Sequence, residues 1–563
     1  MRIPRIRRAA LAAVLLTALA VPVTPVAAEP ARSPATPEPT RTVLPGVSKQ
    51  LEVRGPSGLS SRRLPAGTTH KLTLRHLGHD GALAPTAFTG IANLDGSLNE
   101  PVDVGTGEVT LALPAGRYVF ASTLEVGEQT SVLVQPLLDL RADTTVAVDF
   151  RRTKPLAITV DDASVSSYFS ALYFARRLAD GSMLEFSAPG GPLEDVRAGQ
   201  LGPDVPANEL KSSVGTHWAV PGPRGDFADS PVTYHSMDTV DGRFVQGLQR
   251  VVRRSALARL VSTTYSTAAD LVGVKSIAVL PPDHHSVWSK GLTRNRPGTV
   301  TEYVEAGREV SAGFQERTGG GEESVLVAEL NWGSSRSFAA GSLHRTEWNR
   351  AVLGPGLPEG AAARYGDQLA VEVGLTDDAA GNNGWGMDQA AATRLYRDGV
   401  LVVETDRPGN LGREAIVEPG QAKYRLETEV IRAAGTRRST VVKTAWTFRS
   451  DTTSESGEAL PLWVARFAPG TGLANDVAAG RIVVPLTLTP QPGAKVGKPG
   501  VPVVETSADG GGSWRRATVV PVGGGRYQVG FTATVGTVGL RVTMTDSLGN
   551  SVEQSVADAL GVR

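Results

Sequence analysis

Residues 70–77 read HKLTLRHL, which sets Leu72, Leu74 and His76 on one side of an extended chain and the residues between them on the other. A period of two marks a half-buried strand, and it recurs outward from this point. It continues over 109–113, over 116–120 beyond the turn Pro114-Ala115, and over 130–136 and 144–150. These runs predict a sandwich of about one hundred residues closing near Pro155. A second unit opens at 156–160 and has a strand over 168–176, with Tyr168, Leu172 and Phe174 among its apolar residues. The glycine- and proline-rich section from Pro189 to Pro231 then predicts long loops. The Val and Thr content of 251–265 favours a strand that begins a third unit.

The clearest strands of that third unit are 324–330, 368–375, 392–396, 399–404, 423–431 and 441–449, with a hairpin signal at Arg397-Asp398-Gly399. A last unit follows with strands over 481–488, 501–506, 527–532, 536–545 and 551–556, and a turn at 546–550. Gly 63 and Pro 37 sit between short Val/Leu/Thr-rich runs, as turns do in an all-β chain. No helix longer than two turns is expected beyond the N-terminus, and no internal period repeats. The expectation is an all-β tandem array of β-sandwich domains, Ig-like, prealbumin-like or jelly-roll-like. Its divisions fall at 48–154 (prealbumin-like), 155–255 (long loops), 256–455 (a larger sandwich) and 456–563 (Ig-like).

The N-terminus reads as an export signal over 1–28. Arg2, Arg5, Arg7 and Arg8 form a positive n-region, 9–21 is an apolar stretch too short to span a bilayer, and Val26-Ala27-Ala28 is a small-residue cleavage site. A proline-rich linker over 29–47 follows. Cys 0 excludes disulfides, thiolate metal sites and thiol nucleophiles, so each domain rests on an ordinary hydrophobic core. Lys+Arg 57 against Asp+Glu 57 leaves formal net charge +0, and no overall field draws the chain to nucleic acid. No later segment reads as a membrane anchor, and the 561–563 end carries no hydrophobic tail. The expectation is a secreted, extracellular protein.

Ordered landmarks along the chain carry a resemblance. They are LPAGRY at 113–118, AGSLHRTEWNRAVLGPGL at 340–357, WTFRS at 446–450 followed by Leu460-Pro461-Leu462, SADGGGSW at 507–514, and GLRV at 539–542 leading to the DSLGN turn. In this order they resemble the long non-catalytic C-terminal region of large secreted subtilisin-like serine proteases of actinobacteria, over nearly the whole mature chain. The catalytic Asp, His and Ser of such proteases lie in D-[ST]-G, H-G-[TH] and G-T-S-[MA] settings, none of which occurs here. His217-Trp218 after Gly215-Thr216 matches no catalytic pattern, and the linker is too short to hold a catalytic domain. The resemblance therefore implies a non-catalytic binding or accessory module whose partner is an extracellular protein or a cell-wall or extracellular polymer. A secreted peptidase or glycan-acting hydrolase with an unrecognised site, and a passive spacer or assembly element, are the alternatives.

Several residue groups are candidate sites. Ser507, Asp509, Gly511 and Trp514 fit the Asp-box pattern S-x-D-x-G-x-[ST]-W; a single copy reads as a structural turn. Asp377, Asp378, Asn382, Asn383 and Asp388 concentrate oxygen ligands in a glycine-flexed loop, a weak Ca²⁺ site against a solvated Asx-rich loop. Trp385 in the same loop, and His284, His285 and Trp288 in another, are candidate contact residues. The zinc readings are poor for His70, His76 and His79, which span a strand and its turn so that His70 and His79 need not meet, and for Asp283, His284 and His285, because adjacent residues of an extended chain point to opposite faces. Glu302 with Glu305, and Glu322 with Glu323, read as surface carboxylates rather than a glycosidase pair. Arg250, Arg253 and Arg254 read as a solvated strand edge. N-terminal sequencing of the exported protein should begin at Glu29; a mature chain beginning at Met1 would overturn the signal reading.

Overall fold

The computed structural model describes residues 69–283, 287–319, 324–412 and 415–563, with the backbone alone of 51–54. Among these residues the chain is all-β, with three single 3-10 turns, no α-helix, and no helix long and apolar enough to cross a membrane. The sheets are arranged as a tandem array of sandwiches.

The stretch that opens the reading forms the strand Thr69–Leu77, and Leu72, Leu74 and His76 are all fully buried. It lies between Glu108–Pro114 and Thr144–Asp149 in a three-stranded sheet. That sheet covers one face of a six-stranded sheet built around Phe88–Asn93, Gly116–Val126 and Gln129–Leu140. Within Gly116–Val126, Tyr118 and Phe120 face the three-stranded sheet, whereas Val119 and Ala121 enter a second core on the opposite side. A strand buried on both faces reads as an unbroken apolar run.

The second core lies against an eight-stranded sheet, whose strand Ser166–Arg177 repeats the device. Leu172 and Phe174 point into that core, and Ala171 and Tyr173 into a third one beneath a sheet containing Leu271–Val279 and Glu309–Thr318. Four sheets are thus stacked through three cores. The C-terminal body is one further sandwich. A nine-stranded sheet that includes Ala390–Arg397, Ala422–Ile431, Val441–Ser450, Gly536–Thr545 and Ser551–Val562 faces the four-stranded sheet of Trp463–Phe467, Gly480–Pro490, Arg526–Ala533 and Thr518–Gly523.

The sheets cross all three expected divisions. Val196–Gln200 pairs in parallel with Gln129–Leu140, so residues placed in the second unit complete a sheet of the first. Leu257–Thr264 sits in the same eight-stranded sheet as Val232–Asp241. Val441–Ser450 pairs with Ser551–Val562 across the 455/456 division. Turn signals mark where strands end, not which distant strands pair. The predicted long loops at 189–231 also give way to strands at Val196–Gln200 and Leu210–Ala219. The second of these is buried on both faces yet carries Ser212, Ser213, Thr216 and His217, and these polar residues masked its hydrophobic pattern.

Phe174 is fully buried, stacked on Phe186 with ring centroids 5.2 Å apart. Phe174→Ala should lower the unfolding free energy by about 3–5 kcal/mol, whereas Val400→Ser on an exposed edge should change it by less than about 0.5 kcal/mol, both read by denaturant titration.

Candidate functional site

The strand alternation of the nine-stranded sheet sends Tyr424, Leu426 and Val430 inward and Arg425, Glu427 and Glu429 outward. Its neighbours add Lys443, Glu553, Arg541, Glu505 and Arg394 to the same outer face, above a floor of Ala445, Thr543 and Ser555. These residues line a groove of about 450 Å³. Charges of both signs are mixed on this face, and they pair both along a strand and across strands. Arg425 reaches Glu427 at 2.6 Å and Glu553 at 3.0 Å, Lys443 reaches Glu429 at 2.6 Å, and Arg541 reaches Glu505 at 2.7 Å. Pairs this exposed are each worth roughly 0.2–1 kcal/mol, so the ladder orients donors and acceptors more than it holds the fold.

A second hollow of about 370 Å³ continues the groove, sharing Glu429, Lys443 and Ser555 and bounded by Gly510, Gly511 and Trp514. The Asp-box turn is built as its residue types require. Ser507 Oγ donates to Asp509 at 2.7 Å, and the Ser513 hydroxyl and amide donate to the Asp509 carboxylate at 2.6 and 2.9 Å. These donors hold that carboxyl far below the ordinary range. The turn places the Trp514 ring at the groove wall, with the Arg541 guanidinium 4.4 Å from its centroid. The single Asp box is built as a structural turn, and its tryptophan also borders the hollow that continues the groove.

The loop read as a solvated Asx-rich segment, with calcium as the weaker alternative, is instead a buried joint, Asp377, Asp378 and Asn382 all being buried. Asp378 accepts from the amides of Ala380, Asn382 and Asn349 and from the Asn382 side chain, at 2.8–3.0 Å. Asp377 accepts from the Gly384 amide at 3.0 Å, and a Cβ at Gly356 or Gly374 would collide with its carboxylate. The oxygens that an ion would need are thus turned toward N–H donors. Among the described residues no group of three or more acidic, His or Cys side chains could hold a metal. Asn383 starts a short strand that pairs with Val325–Asn331, and Asp388 lies apart, facing Arg432. Burial pushes Asp377 and Asp378 up to about 6, outweighing the donors around them.

The joint extends to Asn475, whose side chain donates to the carbonyls of Ser266 and Asn349 at 3.1 and 2.8 Å and accepts from the Ala351 amide at 2.8 Å. It ties the four-sheet stack to the C-terminal body. Trp385 is 48% exposed beside Met387, which keeps it available as a contact residue. His284 and His285 lie outside the described residues, as do Glu322 and Glu323. Trp288 is an anchor rather than a free contact: its indole N–H donates to Ser187 at 2.8 Å and its amide to the Tyr173 hydroxyl at 2.9 Å.

The remaining candidates separate. His76 bonds Thr89 and His79 bonds Ser131, on different partners. Glu305 faces Arg250, while Glu302 is buried against Lys275 at 3.3 Å. Arg250 and Arg254 are ion-paired to Asp238, Glu305 and Asp162 rather than simply solvated. Sequence reasoning missed a buried polar cluster between the eight-stranded sheet and the sheet beneath it. His217 Nδ1 lies 2.7 Å from His235 Nδ1, so one ring donates and the other accepts. Lys275 lies 4.5 Å from the Trp348 ring centroid, and Ser262 donates to Glu302. With exposures of 5% or less, His217, His235, Lys275 and Glu302 face no substrate in this packing. Burial lowers both histidines, His217 to about 4.

These features define an all-β protein of tandem β-sandwiches with an outer groove. No family model matches the sequence, and no curated protein matches it. Among solved structures, Escherichia coli alpha-2-macroglobulin activated by porcine elastase is 11% identical, over 88% of this chain and 53% of that one, at a TM-score of 0.12. Sidekick-1 immunoglobulin domains 1–5 are 10% identical, over 92% of this chain and 99% of that one, at a TM-score of 0.11. The chain spans about half the length of the macroglobulin. Likenesses this weak carry no functional argument.

The joint should not respond to calcium. Melting in excess chelator and in millimolar Ca²⁺ should coincide, and a rise of several degrees with Ca²⁺ would restore the ion. The joint and the histidine pair should answer pH with opposite sign. Stability from the raised Asp377 and Asp378 is fully present below their ordinary value and is lost as pH rises through about 6. Stability from the lowered histidines is present above 6.5 and is lost as pH falls toward 4. From pH 7 to 5, rate-corrected hydrogen exchange should therefore slow at 376–384 and quicken at 214–218 and 233–237.

Proposed function

We propose that this chain is an exported, non-catalytic binding protein that meets its partner through the groove on the outer face of its C-terminal sandwich. The partner is an extracellular protein or a wall or extracellular polymer, in keeping with the resemblance to the C-terminal region of subtilisin-like proteases. One observation supports this most: an open groove of about 450 Å³ carries a ladder of oriented charged groups whose ion pairs contribute little to stability. Sandwich scaffolds commonly present their binding groups on rigid sheets and the loops between them. A passive spacer is the second reading, favoured by the hydrogen-bonded joint at Asn349 and Asn475, which would hold two bodies at a fixed angle.

Ser555 is half-buried on the groove floor, and Ser555→Trp fills the groove without touching the core. Immobilised chain 29–563 should retain protein or polymer from culture supernatant and wall fractions, and Ser555→Trp should lose it. Equal retention by both would remove the groove from the binding reading, and no retention by either would favour the spacer.

A further inference from the structure

We propose that the groove takes an uncharged polysaccharide, with Trp514 as the stacking wall and the arginine–glutamate ladder as the hydroxyl-binding row; this rests on the binding reading above. The first argument is charge. The groove holds four cations, Arg394, Arg425, Lys443 and Arg541, and four carboxylates, Glu427, Glu429, Glu505 and Glu553, and the adjoining hollow adds no further charged residue. A polyanion or polycation entering it would meet as many like charges as opposite ones, and like charges at contact are unfavourable. A neutral chain of hydroxyl groups avoids this conflict. Each hydroxyl both donates and accepts, so it can give its proton to a carboxylate while accepting from a neighbouring guanidinium. Paired donors and acceptors match that chemistry, Arg425, Lys443 and Arg541 each lying within 3.0 Å of a groove glutamate.

The second argument is shape. The groove and its continuation share Glu429, Lys443 and Ser555, forming one elongated trough rather than a closed pocket. That suits a chain running past its ends. The groove floor is small, formed by Ala445, Thr543 and Ser555, and the apolar Ile431, Val441 and Ala557 lie only in the adjoining hollow, so the groove itself offers no deep apolar pocket for the side-chain anchors on which peptide recognition relies. The one aromatic group is Trp514. Its hollow includes Gly510, Gly511 and Gly539, which add no side chains beside the ring; the Arg541 guanidinium covers one face of the indole, and a flat apolar sugar face would approach the other.

Affinity electrophoresis of the full mature chain in gels containing dextran, galactomannan, xyloglucan or starch tests the assignment, with heparin and polygalacturonate as anionic probes. Retardation is expected in at least one neutral polysaccharide and in neither anionic one. It should change less than about twofold between low and high salt, since a neutral ligand feels little screening. Trp514→Ala should weaken retardation at least about tenfold, and Ser555→Trp should abolish it with melting unchanged, so that a folding defect at Trp514 does not decide the result. No retardation in any neutral polysaccharide, retardation only in anionic gels, or retardation that survives both substitutions overturns the glycan assignment. If it falls while Ser555→Trp still loses captured culture material, the groove's binding role stands and only the ligand class is wrong. If both results fail, the binding reading falls with it.

Discussion

The architecture depends on strands that feed two cores at once. In Gly116–Val126 the alternation that sends Tyr118 and Phe120 one way sends Val119 and Ala121 the other, and neither face meets water. Ser166–Arg177 does the same one layer further on. A sheet committed on both faces cannot belong to one domain only, so the four stacked sheets act as a single body. Large aromatic residues fill this body where two sheets meet, as Phe174 and Phe186 do.

The link to the C-terminal body is made differently. There the chain uses side-chain amides and carboxylates on backbone groups, with Asn349, Asp378, Asn382 and Asn475 as the hubs. Buried polar groups are costly unless satisfied, and a network in which nearly every side-chain polar atom has a fixed partner, Asn349 Oδ1 being the exception, specifies one arrangement of the two bodies. The same logic explains why a loop rich in oxygen ligands is not an ion site. The carboxylates of Asp377 and Asp378 are already committed to N–H donors of the joint.

The outer face of the C-terminal sheet is where the chain retains unused chemistry. Its charged groups are paired with one another, remain open to solvent, and surround a trough with a single indole at its wall. Residues from sequence positions as distant as Arg394 and Ser555 meet there only because Ala422–Ile431, Val441–Ser450, Ser551–Val562 and Gly536–Thr545 are successive neighbours in one sheet.

Much of the local structure was legible in the sequence. The period of two at 70–77, 423–431 and 441–449 identified strands whose buried halves are Leu72, Tyr424 and Val442 among others, because alternation is a local consequence of an extended backbone. The turn at Asp398-Gly399 was legible too, both residues having the positive φ that a tight hairpin needs. The strand Leu210–Ala219 was hidden, since its buried Ser212, Thr216 and His217 look like loop residues until their partners across the sheet are known. The outward alternation of Arg425, Glu427 and Glu429 was visible as polarity but not as a site. The sequence by itself determined the all-β class, the strands with a clear period of two and the Asp-box turn, all set by contacts between near neighbours in the chain, while strands such as Val232–Asp241, Leu271–Val279 and Glu309–Thr318 went unread. The tertiary structure decided which strands share a sheet, that the acidic loop is a joint, and where the groove lies, because each depends on pairing between segments far apart in sequence.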